Sequence, residues 1–272
     1  MIVTVNHHST YCYTGGKPFN AAQPTVVFIH GVLNDHSVWA LQSRYLAHHG
    51  WNVLAVDLPG HCRSAGDAPA SVKAAAEFIT ALLDAAEVQR AALIGHSWGS
   101  LIALEAASRL HDRISHLVLV GTAFPMTLSP ALLDASLNEP MKALKLVNVF
   151  SRSTLAPLPS ALGPGTWVYG ASLALGRRVL ASNTEVNVFH RGFNACDTYM
   201  NGEAAIAEIT CPVLFLLGNA DQMTPPRSAQ GLIAAGRQAG KAVQVSHLDV
   251  GHHQMTEAPD ATLFAIRDFL KG

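Results

Sequence analysis

Leu93-Ile94-Gly95-His96-Ser97-Trp98-Gly99-Ser100-Leu101-Ile102 is the stretch on which the reading of this chain turns. Residues 91–94 form a short apolar run of the kind buried in a sheet. Residues 97–110 follow with Leu101, Ile102, Leu104, Ala106 and Leu110 at helical spacing. Between strand and helix stands Gly-x-Ser-x-Gly. Gly95 and Gly99 remove side chains where a sharp turn would crowd its neighbours. Ser97 is thereby presented at the top of a strand and the positive end of a helix, where a nucleophilic hydroxyl is needed. The bare pattern arises by chance in roughly one chain in ten of this length. Its weight therefore comes from its placement and from partners elsewhere; without partners it reads as a small-residue turn.

Working outward, strand-like and helix-like stretches alternate on both sides. Upstream, residues 1–13 suit two short strands, with a turn at Gly15-Gly16-Lys17-Pro18. Residues 25–29 are a continuous apolar run ending at His30-Gly31-Val32-Leu33. Residues 37–49 suit a helix stopped by Gly50, and residues 52–56 a strand leading into Asp57-Leu58-Pro59-Gly60-His61-Cys62-Arg63-Ser64. Ser71 caps a helix that turns Val72, Ala75, Ile79, Leu82 and Leu83 inward. Downstream, residues 116–121 are a strand, after which alternation stops.

From residue 122 to about 207 there are helical patches at 130–150 and 167–180, proline breaks and no strand pair. That length is too great for an unstructured loop in a compact domain, and it reads as an inserted helical cap. Alternation resumes with a strand at 212–218 and Asn219-Ala220-Asp221-Gln222-Met223-Thr224-Pro225, then a helix at 227–237. A last strand at 242–245 runs toward Gly251-His252-His253, and a helix at 260–270 closes the chain. The expected architecture is a doubly wound, mostly parallel sheet built from residues 1–121 and 208–272, with the cap at 122–207.

Composition narrows the function. Hydrophobic residues make up 49% and charged residues 14% of the 272, which suits one large buried core and excludes disorder. A net charge of -1 gives no field for nucleic acid or an anionic membrane. The start lacks the basic and apolar segments of a signal peptide, and no apolar run is long enough to span a bilayer. Cys12, Cys62, Cys196 and Cys211 are dispersed, which favours free thiols in a reducing compartment and a cytoplasmic location. The paired histidines His7-His8, His48-His49 and His252-His253 lack zinc-ligand spacing, so no metal is expected. No cofactor is implied. The partner is a small-molecule substrate, and the apolar cap permits a homodimer.

A serine needs a base, and the base needs a carboxylate to fix its tautomer. Asp221 follows one late strand and His252 follows the last, giving the order Ser, Asp, His. His253 is the rival base and Asp249 the second choice of acid. Asp57 is read as pinning its own turn, and His30 and His96 as lining or supporting the site.

Five stretches in order, at His30-Gly31, Asp57-Leu58-Pro59-Gly60-His61, the serine turn, Gly218-Asn219-Ala220-Asp221 and Gly251 to Pro259, resemble the α/β-hydrolases over nearly the whole chain. The resemblance implies Ser97 as nucleophile, His252 as general base and acid, Asp221 as orienting acid, and the Val32 and Trp98 N–H groups as oxyanion hole. Two residues depart from the family pattern. Cys62 stands where Gly is usual, and Ser100 replaces a second small Gly. Epoxide hydrolases and dehalogenases of this fold place Asp where this chain has Ser97.

The expected activity is that of a carboxylesterase on a small or medium apolar or aromatic ester. Phe124, Met126, Trp167, Tyr169 and Met223 are expected to contact substrate, and Phe150, Phe189, Phe193 and Met200 to add apolar surface. Each of these aromatic and methionine side chains also suits ordinary packing. The alternatives are a carbon–carbon bond hydrolase of ring-cleavage products, a lactonase or perhydrolase, or a receptor-like binder with little turnover.

Overall fold

The computed structural model describes residues 1–153 and 168–272. The chain opens with β1 (Ile2–Val5) and β2 (His8–Tyr13), an antiparallel hairpin whose turn residues Asn6 and His7 both take positive φ. Then come β3 (Thr25–Ile29), a 3₁₀ turn (His36–Trp39), α1 (Ala40–His48), β4 (Asn52–Val56), α2 (Val72–Ala85), β5 (Ala91–His96), α3 (Trp98–Leu110) and β6 (Ile114–Val120). A run of helices follows: α4 (Pro130–Asn138), α5 (Pro140–Ser151), α6 (Val168–Ala181), α7 (Val188–Asp197) and α8 (Gly202–Glu208). β7 (Val213–Gly218), α9 (Gln230–Gln238), β8 (Val243–Leu248), a short α10 (Gln254–Glu257) and α11 (Pro259–Lys271) complete the chain.

The strands form one sheet in the order β1-β2-β4-β3-β5-β6-β7-β8, parallel from β4 to β8. The strand period of two divides each apolar strand between two cores. Val27 and Ile29 of β3 and Phe215 and Leu217 of β7 face a core filled by α2, α3, α8 and α9. Val26, Phe28, Leu214 and Leu216 face the opposite core, where Trp39, Leu46, Ile266 and Phe269 pack. This explains why those strands read as unbroken apolar runs. The chain steps outward from β3 to β4, returns to β5 on the other side of β3, and continues through β6 to β8. The order therefore reverses around β3 and β5, and in open α/β sheets ligands bind at such a point.

Two expectations are corrected in detail. The apolar stretch 130–150 is two helices, because Pro140 disfavours helical geometry at Glu139, which sits at φ -135 and ψ 56. The apolar stripe of α3 also widens to nearly its whole circumference, since α2, α8 and the sheet enclose it. Helices α4 to α7 share a third apolar core, with Leu144, Val179, Phe189 and Phe193 buried in it and Leu33 and Ala68 joining from the loops of the sheet. α8 packs instead on α3 and α9. All four cysteines are free. No helix among the described residues is long and apolar enough to cross a membrane.

Candidate active site

Ser97 joins β5 to α3 at φ 53 and ψ -119, a region that a side chain normally avoids at a cost of about 1–3 kcal/mol. The surrounding backbone holds it there. Its N–H donates to Val120 O at 2.9 Å, and its carbonyl accepts from Ser100 N at 2.8 Å. The two glycines are required by contact. A β-carbon on Gly95 would collide with the Gly99 carbonyl, and one on Gly99 would lie 2.6 Å from His30 O. Ser100, the departure noted in the sequence, is accommodated by its hydroxyl, which donates toward Ser97 O at 2.5 Å and meets Thr122 Oγ1 at 2.8 Å.

Asp221 follows β7 in a tight turn. Its Oδ1 accepts from Met223 N and Thr224 N, each at 2.8 Å, the self-capping habit of aspartate in turns. Its Oδ2 accepts from His252 Nδ1 at 2.8 Å and from Thr224 Oγ1 at 2.7 Å. Burial alone would raise its pKa. The neighbouring imidazole and these hydrogen bonds overcome that and hold it below the ordinary carboxylate value. His252 is anchored at both backbone ends: its N–H donates to Ser151 O at 2.7 Å, and its carbonyl accepts from His96 Nε2 at 2.9 Å. With Nδ1–H given to Asp221, Nε2 keeps its lone pair. No hydrogen bond joins Ser97 Oγ to His252 among the described residues, but both side chains line one cavity of about 610 Å³. Such bonds are often long until substrate is bound.

Val32, after β3, shares that cavity wall, and Trp98 is the first residue of α3. Among the described residues neither backbone N–H donates to a protein acceptor, as an oxyanion-binding pair requires. The apolar part of the cavity wall includes Met126, Leu128, Leu132, Leu146, Phe150, Phe193 and Met223, with Asp134, Glu139, Lys142 and Gln222 among its polar residues. Met126 and Met223, two of the expected substrate contacts, lie in this wall. Phe124 is elsewhere: its ring lies edge-on to Tyr199 at 5.9 Å and packs against Gly202. Tyr169 donates to Lys145 O on α5 and is not among the cavity-lining residues. Phe189 is buried in the α4–α7 core and Met200 is exposed. Trp167 falls outside the described residues.

Of the rivals, Asp249 is exposed and accepts from Asn219 Nδ2 at 2.6 Å, a loop tie. Asp57 accepts from His36 N at 2.8 Å and Arg63 N at 3.3 Å, binding the loops after β3 and β4 together. Cys62 takes φ 47, which accounts for the glycine usual there. Burial, with Asp35 and Asp57 adding to it, pushes its thiol up to about 12. Asp35, His36 and Asp57 bring ligand-type atoms within 4.8 Å of one another. Protein donors occupy those atoms, including Arg178 Nη2 at 2.6 Å from Asp35. Sequence reasoning missed Thr224, whose hydroxyl bridges Asp221, His252 Nδ1 at 3.0 Å and Gly121 O at 2.9 Å. Its position three residues after an aspartate in a turn was the available signal.

Neutral histidines surround the serine turn. Burial holds His61 down to about 4 and His96 to about 3, and lowers His30 as well. His30 shows the neutral pattern directly, with Nδ1 on Gly31 O at 2.9 Å and Nε2 accepting from Leu58 N at 3.1 Å. In the unfolded chain each would protonate near 6.5, while the folded chain resists. Stability from these groups is therefore complete above about pH 6.5 and falls as the pH drops from there toward 4. His61 and His96 are each expected to remove about 2 kcal/mol between pH 7 and pH 5. Urea unfolding at the two pH values measures this, and equal midpoints would contradict it.

A family model described as the alpha/beta hydrolase fold matches residues 24–259. The chain belongs to the alpha/beta hydrolase fold family. It is 29% identical over 268 residues to a pimeloyl-[acyl-carrier protein] methyl ester esterase of Neisseria meningitidis serogroup B, covering 94% of this chain and 96% of that protein. It is 35% identical to an epoxide hydrolase of Caballeronia sordidicola over 95 residues, 34% of this chain; the match spans only 29% of that relative's length. Among solved structures, the enol-lactonase from Burkholderia xenovorans LB400 superposes with a TM-score of 0.81 over all of both chains at 22% identity, a likeness of fold.

Proposed function

We propose that this protein is a serine hydrolase that cleaves carboxylic esters with a small or medium apolar or aromatic acyl group. The observation that carries the reading is the buried Asp221–His252 pair, which opens with the strained Ser97 onto one apolar cavity. In this reading Ser97 Oγ attacks the ester carbonyl carbon while His252 Nε2 takes the hydroxyl proton. The Val32 and Trp98 N–H groups hold the oxyanion, each worth about 3 kcal/mol in the transition state. His252 then gives its proton to the departing alkoxide, so that the alcohol leaves. Water attacks the acyl-serine carbonyl, giving a proton to His252, which passes it to Ser97 Oγ as the acyl–oxygen bond breaks, so that the acid is released and the free serine regenerated. Asp221 balances the imidazolium charge throughout. The near end-to-end match to an ester-cleaving relative supports this choice of bond. Ser97 favours it over epoxide opening, because the epoxide hydrolases of this fold carry Asp at that position.

We also read residues 122–207 as the cap, a division supported by the apolar cluster that α4 to α7 share, while α8 at its end packs on α3 and α9. A fluorophosphonate probe tests the chemistry. It is expected to label the folded protein on the peptide containing Ser97, and a p-nitrophenyl ester series run beside a lactone and a ring-cleavage product is expected to rank the esters first. Folded protein that resists the probe would make it a binder without turnover.

A further inference from the structure

The loop that carries His252 is bound to the inserted helices as well as to the sheet. Three links join residues 251–253 to the end of α5. First, Gly251 lies so close to α5 that a β-carbon on it would sit 2.6 Å from Ser151 O and 2.7 Å from Ser153 N. Second, His252 N donates to Ser151 O at 2.7 Å. Third, the carboxylate of Glu257, only 4% exposed, accepts from both sides. From the histidine loop come Gly251 N at 3.2 Å and His253 N at 3.3 Å; from the α5 side come Ser153 N and Ser153 Oγ, each at 3.1 Å.

The opposite consequence of α5 lies in the cavity. Leu146 and Phe150 line it, and Phe150 directly precedes Ser151. Pressure of an acyl group on Phe150 therefore bears on the segment that holds the His252 N–H, while His96 holds the carbonyl on the other side. We infer that Glu257 is a positioning residue that couples occupancy of the acyl cavity to the placement of the His252 imidazole. The inference rests on the ester-hydrolase reading above. It adds a specificity device to it: an acyl group long enough to reach Phe150 is turned over faster as well as bound more tightly.

A double-mutant cycle with p-nitrophenyl butyrate tests this, using the full chain, Phe150→Ala, Glu257→Gln and both together, with kcat and KM measured separately. Glu257→Gln keeps the shape but meets the same N–H donors with an amide. It is expected to lower kcat about 10- to 100-fold with KM nearly unchanged, the penalty of a misplaced catalytic group. Phe150→Ala is expected to lower kcat and raise KM in the wild-type background, but to raise KM alone once Glu257 is gone. If Glu257→Gln does not fold, Ser153→Ala takes its place in the cycle, with a smaller effect in the same direction. Effects on kcat that simply multiply across the cycle, or an unchanged kcat in a folded Glu257 or Ser153 variant, overturn the coupling. Wild-type protein that hydrolyses no ester and takes no probe on Ser97 overturns the hydrolase reading itself, a separate outcome.

Discussion

Ser97→Ala is expected to cut ester turnover about a millionfold, because the residues of such a set act as a unit and loss of the nucleophile removes nearly all they contribute together. The fold should not notice. Ser97 Oγ makes no hydrogen bond among the described residues, and alanine keeps the β-carbon that already strains φ at 53. Melting temperature should therefore stay within about 2 °C of wild type. What remains of the rate would report the Val32 and Trp98 donors and substrate binding alone. A variant that retained more than about a hundredth of the wild-type rate would move the nucleophile elsewhere in the cavity.

Gly99→Ala should show the opposite pattern, a structural failure from a single methyl group. Its β-carbon would collide with Ile29 O and lie 2.6 Å from His30 O, both main-chain atoms at the end of β3. β3 cannot retreat, since it is paired in register with β4 and β5. Forcing an extra carbon into such a contact costs about 3 kcal/mol, a drop of about 6–12 °C in melting temperature. Gly231→Ala is the matched control. That β-carbon, on the exposed face of α9, meets Glu203 Oε1 at 3.5 Å and Phe124 O at 4.0 Å, both ordinary contacts, so the change should stabilise by about 0.5–1 kcal/mol. Thermal unfolding of the pair decides the matter, and two equal shifts would mean that the serine turn is looser than described.

The contrast between those glycines also shows what could be read in advance. Chemistry at strand ends is written in short local motifs. Gly95 to Gly99, Asp221 after one apolar run and His252 after another were legible because each owes its place to its own strand. The strands themselves were legible because burial on both faces demands unbroken apolar runs. Side-chain direction in the inserted segment was not. Phe124 and Met126 stand two residues apart, yet one packs on Tyr199 while the other faces the cavity, a choice made by tertiary contacts that no spacing records. Glu257 was hidden for the same reason. In sequence it is one more residue of a loop motif, and its partners at Ser153 lie 104 positions away.

The apolar cluster that α4 to α7 share has a consequence for how such a protein changes over generations. Those helices enter between β6 and β7, which pair directly with each other, and α4 to α7 pack largely on one another. In the proposed reading, mutations that reshape these helices can accumulate without disturbing the sheet, provided their ties to its loops still fit, at Ser151 to His252, Arg178 to Asp35, Ser182 to Cys62 and Asn183 to Gly60. Appetite for new substrates can wander while the reactive centre stays put.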